Sequence, residues 1–175
     1  METSHDDCSC DSPVGVAANR NRVLDHQWAK ICQYVIFLDA DDTIPKNYVE
    51  ELLRTADRDD CVVACGAKLF GLEEREVPVR TPVNLDTLLE SNTVHCSALI
   101  PLKHFRAVGG FCTDLASHED WDLWCRLAAR GVEFRTCIST HLNYRRHVGS
   151  RSKQNPNGFW EAKIRLNNEY QRVTW

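Results

Sequence analysis

The chain has 175 residues, 43% of them hydrophobic, and a formal net charge of -4 at pH 7. This length suits one domain with one hydrophobic core, and the slightly acidic balance argues against nucleic-acid binding through a broadly basic surface. No stretch approaches the roughly 20 apolar residues that cross a bilayer, so we expect a cytosolic location, with peripheral attachment to a membrane left open.

The nine cysteines are scattered along the chain and odd in number, which predicts reduced and mostly buried thiols. The candidate zinc ligands are Cys8 with Cys10, Cys61 with Cys65, and the neighbours His95 and Cys96. None of these groups has the paired CxxC spacing of structural zinc sites, so zinc is disfavoured.

In chain order, residues 1–13 form a polar segment, and residues 14–29 have the apolar spacing of a helix. Tyr34–Leu38 reads as a buried strand of an α/β sheet. A helix is predicted after Pro45. Its expected apolar face consists of Val49, Leu52, Leu53 and Ala56.

The middle of the chain continues this alternation. Cys61–Cys65 and Val94–Ile100 have the composition of strands, whereas Gly71–Asn84 reads as an irregular or edge segment. A short helix is predicted over Leu85–Glu90, and Pro101 is placed to begin another helical turn.

A further helix is predicted from Ser117, a suitable N-terminal cap, to Gly131, a typical C-terminal stop. Its apolar face consists of Trp121, Trp124, Cys125 and Ala128, and we expect both tryptophans in the core rather than stacked on sugars. One or two strands follow between Val132 and Tyr144, and residues 154–175 form a tail with helical spacing. Strands that alternate with helices predict an α/β sandwich with a mainly parallel sheet.

Three acids, Asp39, Asp41 and Asp42, directly follow the predicted strand Tyr34–Leu38. In an open α/β sheet the ligand crevice lies at the carboxyl ends of the strands. A divalent cation such as Mg²⁺ or Mn²⁺, shared with phosphate oxygens, would remove the repulsion between the carboxylates. The alternative interpretation is a solvated acidic turn.

Glu119 and Asp120 begin the helix after Ser117. Acids in a first helical turn can simply satisfy free amides and the helix dipole, and Ser117-x-x-Asp120 fits a capping box. A helix N-terminus also favours the ionised carboxylate that a general base requires. The basic segment 144–153 can likewise be either a solvated loop or a phosphate site.

Together these segments resemble the family 2 glycosyltransferases. The acids after the strand match the family's DxD motif, and further similar elements follow it in order. They are Gly109-Gly110-Phe111, the segment HEDWDLWCRL over 118–127, and Tyr144-Arg145-Arg146-His147. Upstream, residues 15–21 resemble the family's G-x-x-x-A-R-N segment, and residues 6–11 its D-D-x-S-x-D.

The resemblance implies a GT-A-like (Rossmann-like) α/β/α sandwich with a mainly parallel mixed sheet, from which the usual first strand is missing. It also implies inverting transfer of a sugar from a nucleotide-diphosphate donor, with a UDP-sugar favoured, to a carbohydrate or other hydroxyl acceptor. Mn²⁺ or Mg²⁺ would be the cofactor.

The resemblance also implies residue roles. Asp120 would be the general base, with Glu119 as the fallback. Asp41, Asp39 and His147 would bind the metal, with Asp42 assisting. The nucleotide sugar would be bound by Asp7, Arg20, Asp39, Arg145 and Arg151.

Two alternatives remain at this stage. A strand followed by Asp39-x-Asp41-x-Thr43 also fits the first motif of haloacid-dehalogenase-type phosphatases, with Asp39 as the nucleophile. Alternatively, the chain is a truncated, non-catalytic binding protein. Loss of the first strand would expose a sheet edge that a second copy, in a homo-oligomer, would cover.

Overall fold

The computed structural model describes residues 15–57, 60–149, 155 and 157–170, in which helices and strands alternate along the chain. The predicted α/β class is confirmed. In chain order the elements are α1 (Val16–Asn21), β1 (Tyr34–Val35), α2 (Tyr48–Ala56), β2 (Val62–Gly71), β3 (Arg75–Val77), α3 (Leu85–Glu90), β4 (Ile100–Pro101), α4 (Leu102–Ala107), α5 (Glu119–Ala129), β5 (Phe134–Arg146) and α6 (Gly158–Tyr170).

The sheet is mixed, and its longest pairing is parallel. β2 lies between β3, to which it runs antiparallel, and β5, to which it runs parallel. β1 and β4 form a short antiparallel ladder, and a single bridge between Val63 and Leu99 joins this ladder to β2. The β2–β5 register shifts after Cys65, so that residues 138–140 of β5 bulge out of the ladder.

Two hydrophobic clusters lie on either side of β2, because alternate residues of a strand face opposite sides of the sheet. Val62 and Ala64 belong to the larger cluster, with Trp121 and Trp124 of α5, whereas Val63 faces α2. Both tryptophans are fully buried, as predicted, and each indole N–H donates to a backbone carbonyl. The layered arrangement fixes α5 against the sheet.

Several element boundaries differ from the predictions. Within the predicted strand Tyr34–Leu38, only Tyr34 and Val35 pair, because their partner β4 is equally short and contains Pro101, which has no N–H to donate. The segment 94–99 is not a strand, although Ile100 is. The predicted helix over 14–29 is divided into α1 and two single 3₁₀ turns, Arg22–Leu24 and Gln27–Lys30.

The face of α2 was only partly predicted. Leu52 and Ala56 are buried, but Val49 and Leu53 are 44% and 42% exposed. Tyr48 is buried instead, and its hydroxyl donates to the Ser97 carbonyl oxygen at 3.0 Å. The buried face of α2 therefore consists of every fourth residue from Tyr48, namely Tyr48, Leu52 and Ala56.

The N-terminus of α5 also differs from the predicted capping box. The cap is His118, in the left-handed conformation at φ 60°, and no side chain caps the helix. Asp120 accepts a hydrogen bond from the next backbone amide, of Trp121, at 2.8 Å. At the other end, Gly131 has a positive φ, as the predicted stop requires.

α6 packs against α5 through a charge pair and an aromatic stack. Arg165 donates to the buried Asp122 at 2.9 Å, and the Phe159 ring stacks on Trp121 at 5.3 Å. Of the helices that the structure describes, none is long and apolar enough to cross a membrane.

Candidate functional site

A cavity of about 410 Å³ lies between the sheet and the N-terminus of α5. Acids from two distant parts of the sequence line it: Asp39 and Asp42 from the turn after β1, and Glu119 and Asp120 from α5. The fold therefore brings the two acidic motifs of the sequence to one cavity.

Arg20 joins these two acidic groups. One guanidinium nitrogen pairs with Asp39, and the other donates to Glu119 Oε1 at 3.0 Å. The side chains of Arg20 and Glu119 are only 12% and 7% exposed, so each buried charge depends on the other. Burial alone lowers the pKa of Arg20, but the carboxylates of Asp39 and Glu119 contribute to raising it above its ordinary value.

Cys96 completes this group. Its sulfur lies 3.6 Å from Asp39 Oδ2 and 3.7 Å from the Arg20 guanidinium. Burial raises the pKa of the thiol well above its usual range, which keeps it protonated at neutral pH. The sequence indicates Cys96 only as a candidate zinc ligand, and no local pattern predicts its contact with Asp39.

Asp42 is the buried acid of the turn after β1. Its Oδ1 atom accepts a hydrogen bond from the Arg145 amide at 2.8 Å, which ties the turn to β5. Burial, reinforced by the charges of Asp41 and Asp39, raises the pKa of Asp42 to about 6.

Asp41 and His147 form a second pair, outside the residues that line the cavity. The Oδ2 atom of Asp41 lies 2.9 Å from His147 Nε2, and both side chains are nearly half exposed. Asp39, the third predicted ligand, is directed to Arg20 instead. Over the described ranges, no three His, Cys, Asp or Glu side chains form a complete metal-binding group. A carboxylate and an imidazole can still hold Mg²⁺ or Mn²⁺ when phosphate oxygens and water supply the remaining ligands.

Asp120 lines the cavity and accepts hydrogen bonds from the Asn92 amide, at 3.2 Å, and from the Trp121 backbone. Burial raises its pKa, and the neighbouring Glu119 charge adds to this effect. Burial therefore opposes the effect expected of the helix N-terminus, which favours the ionised carboxylate. The two neighbouring carboxylates thus have different partners, Arg20 for Glu119 and Asn92 for Asp120.

The basic segment contributes a different arginine from the predicted one. The Arg145 guanidinium lies 4.5 Å from the Phe70 ring and donates to the Asp41 carbonyl, so it does not line the cavity. Arg146 lines it instead, as does Arg75 of β3. The two-residue repeat of a strand places Arg146 on the same face as Tyr144 and could have revealed this. Two predicted donor-binding residues, Asp7 and Arg151, lie outside the described residues.

Comparison with known proteins gives a family match and a structural likeness. The model of glycosyl transferase family 2 matches residues 8–111, more than half of the chain, and ends before α5. No curated protein sequence matches.

Among solved structures, S. aureus TarS (residues 1–349), in complex with UDP-GlcNAc, is similar to the chain with a TM-score of 0.59 at 18% identity. The likeness covers 84% of this chain and 46% of that one, so the chain spans less than half of the TarS fragment. At this identity it shows a shared fold.

Proposed function

Because the chain belongs to glycosyl transferase family 2, we propose that it transfers a sugar from a nucleotide-diphosphate donor to the hydroxyl group of an acceptor. The observation that carries this proposal is the meeting of the two acidic motifs in one cavity, joined by Arg20. A UDP-sugar is the favoured donor, since the similar TarS structure contains UDP-GlcNAc.

On the donor side, Asp39 would accept hydrogen bonds from the ribose hydroxyls. Its position is fixed from two directions, by the Arg20 guanidinium and the Cys96 thiol. A carboxylate held in this way loses little further freedom when the donor binds. Arg20 therefore acts through Asp39 and Glu119.

Asp41 and His147 would hold a divalent cation, Mn²⁺ or Mg²⁺, together with the donor diphosphate. Their 2.9 Å separation and partial exposure suit such a shared site. When bound, the cation would supply positive charge that makes the nucleoside diphosphate a better leaving group.

On the acceptor side, Asp120 would take the proton from the attacking hydroxyl. The acceptor oxygen then forms a bond to the anomeric carbon while the bond from that carbon to the diphosphate breaks. Attack from the side opposite the leaving group inverts the anomeric configuration, which is the outcome we propose. The raised pKa makes Asp120 a stronger base than an exposed carboxylate.

The phosphatase alternative finds no support here. Its nucleophile would be Asp39, but this carboxylate is occupied by Arg20 and Cys96. The family match accounts for the same stretch of sequence. The remaining alternative is a non-catalytic binding protein, and the experiment below distinguishes it from an enzyme.

A thermal-shift panel of nucleoside diphosphates, with and without Mn²⁺, tests the proposal on the wild type and on Asp41→Ala. A ligand that binds the native state raises its melting temperature. We expect UDP to raise it only with Mn²⁺ and only in the wild type. The proposal fails if no nucleoside diphosphate stabilises the wild type. Release of UDP from UDP-GlcNAc then distinguishes an enzyme from a binding protein.

A further inference from the structure

Two arginines of the cavity have no part in the proposed transfer. Arg75 and Arg146 both line the cavity but come from the sheet rather than from the acidic turn or α5. Arg20, the third arginine of the lining, is already enclosed between Asp39 and Glu119. The cavity is therefore lined by arginines from the sheet as well as by acids from the turn after β1 and from α5.

The register of the sheet places the two arginines on one face. Leu69 of β2 pairs with Arg75 on one side and with Tyr144 on the other, and all three line the cavity. Arg146 is two residues beyond Tyr144 and lies opposite Gly71, which has no side chain to fill the space. The two guanidinium groups therefore reach the cavity from both sides of β2.

Contacts in the structure already place one anion between them. The Glu73 carboxylate pairs with Arg75 through Oε1 and lies 3.6 Å from the Arg146 Nε atom through Oε2. Both contacts are made through the Nε atom of the arginine. The two arginines therefore already hold one carboxylate between them.

Aromatic stacking restricts Arg146. Its guanidinium carbon lies 5.9 Å from the Tyr144 ring centre, and Tyr144 in turn stacks on His95 at 5.8 Å. A guanidinium held over a ring loses less freedom when it binds an anion. Planar, paired donors of this kind bind carboxylate and phosphate groups in two-point contacts.

We propose that Arg75 and Arg146 form a subsite that binds a phosphate or carboxylate group carried by the acceptor. The statement that this ligand is the acceptor rests on the proposed function. The binding of an anion by the two arginines does not. The subsite selects a charged acceptor over a neutral one, while Asp120 receives the proton of its hydroxyl group.

Isothermal titration calorimetry with glucose, glucose 6-phosphate and glucuronic acid tests the subsite, both with UDP and Mn²⁺ at saturation and without them. We expect at least one charged sugar to bind more tightly than glucose. Arg75→Gln and Arg146→Gln should each weaken that binding by about tenfold, the size expected for one lost charge-assisted contact. Glu73→Gln removes the competing carboxylate and should strengthen the binding of the charged sugar.

Arg80→Gln is the matched control, because Arg80 is a nearby arginine that pairs with Glu90 and does not line the cavity. The inference is overturned if neither charged sugar binds better than glucose. It is also overturned if the two arginine variants weaken UDP binding as much as they weaken sugar binding, since the arginines would then belong to the donor. If UDP does not bind the wild type, the proposed function fails. The titrations without UDP then still test whether the two arginines bind a charged sugar.

Discussion

The Nε2 atom of His147 lies 2.9 Å from the Oδ2 atom of Asp41, although 106 positions separate the two residues in sequence. The contact joins the segment after β5 to the acidic turn after β1. In the proposed function, both residues bind one cation.

If Asp41 and His147 share one cation, replacing either residue should remove most of the cation's effect on UDP binding. We expect Asp41→Asn and His147→Ala each to weaken UDP binding in Mn²⁺ by about tenfold, and the double variant to lose little more. Calorimetry with and without Mn²⁺ measures this. Asp25→Asn, at an exposed acid, is the control. Independent, additive losses would argue against a shared cation.

Arg20 and Arg54 form a matched pair, because each bridges two carboxylates and only Arg20 is buried. Arg20→Met leaves the buried Glu119 charge uncompensated and should lower the free energy of unfolding by about 3–5 kcal/mol. Arg54→Met should change it little. Urea denaturation measures both.

Arg20→Met loses both the charge that compensates Glu119 and the packing of the arginine side chain. A second substitution separates these two effects. Adding Glu119→Gln to Arg20→Met removes the uncompensated charge and should restore part of the stability. Equal losses in the two arginine variants, or no restoration, would contradict the role assigned to Arg20.

Asn92 tunes Asp120 in a way that pH dependence can reveal. Its amide donates to the carboxylate, favours the charged form and so lowers a pKa that burial has raised. Asn92→Ala should raise that pKa further. Because the base must be unprotonated, the acidic limb of the rate of UDP release from UDP-GlcNAc should move to higher pH. Asn168→Ala, at an exposed asparagine, should leave the limb in place, and an unmoved limb in Asn92→Ala would exclude Asp120 as the base.

The neighbours Gly109 and Gly110 both have positive φ, at 78° and 72°, but differ in their surroundings. A Cβ atom at Gly109 meets nothing within 4 Å, whereas one at Gly110 would lie 2.4 Å from Asn21 Oδ1. We expect Gly109→Ala to cost about 1–2 kcal/mol from strain alone and Gly110→Ala to cost more. Thermal melting compares the two.

Asn21 provides the internal check on that prediction. Its amide makes two hydrogen bonds with the Phe111 backbone, so Asn21→Ala is destabilising by itself. Gly110→Ala places its Cβ atom against this same Asn21 side chain. The double variant should therefore lose less stability than the sum of the losses in the two single variants. A fully additive result would exclude this steric explanation.

Local sequence patterns were sufficient to predict much of the fold. The apolar spacing of α5 correctly predicted its two buried tryptophans, and α3 begins and ends as predicted. The strand Tyr34–Leu38 was predicted too long, because pairing depends on the length of β4, which its own residues do not encode.

The site was predictable only where its chemistry is local. The acidic groups at Asp39 and Asp120 stand out in the sequence, but the arginine that joins them through Glu119 is 99 positions from that residue. The roles of Arg75 and Arg146 depend on the register of three strands, which follows from tertiary packing. The two-residue repeat of β5 can place Arg146 on the face of Tyr144, but it cannot place β5 beside β2 and β3.

The docking of α6 has a practical consequence for anyone who shortens this chain. A form that ends before Gly158 would give up the Phe159 ring over Trp121 and one of the two arginines around Asp122. Water would then reach a charged group two residues from Asp120. Shortened forms should therefore end after Tyr170, and poor behaviour of a form that ends earlier would say little about the chemistry of the full chain.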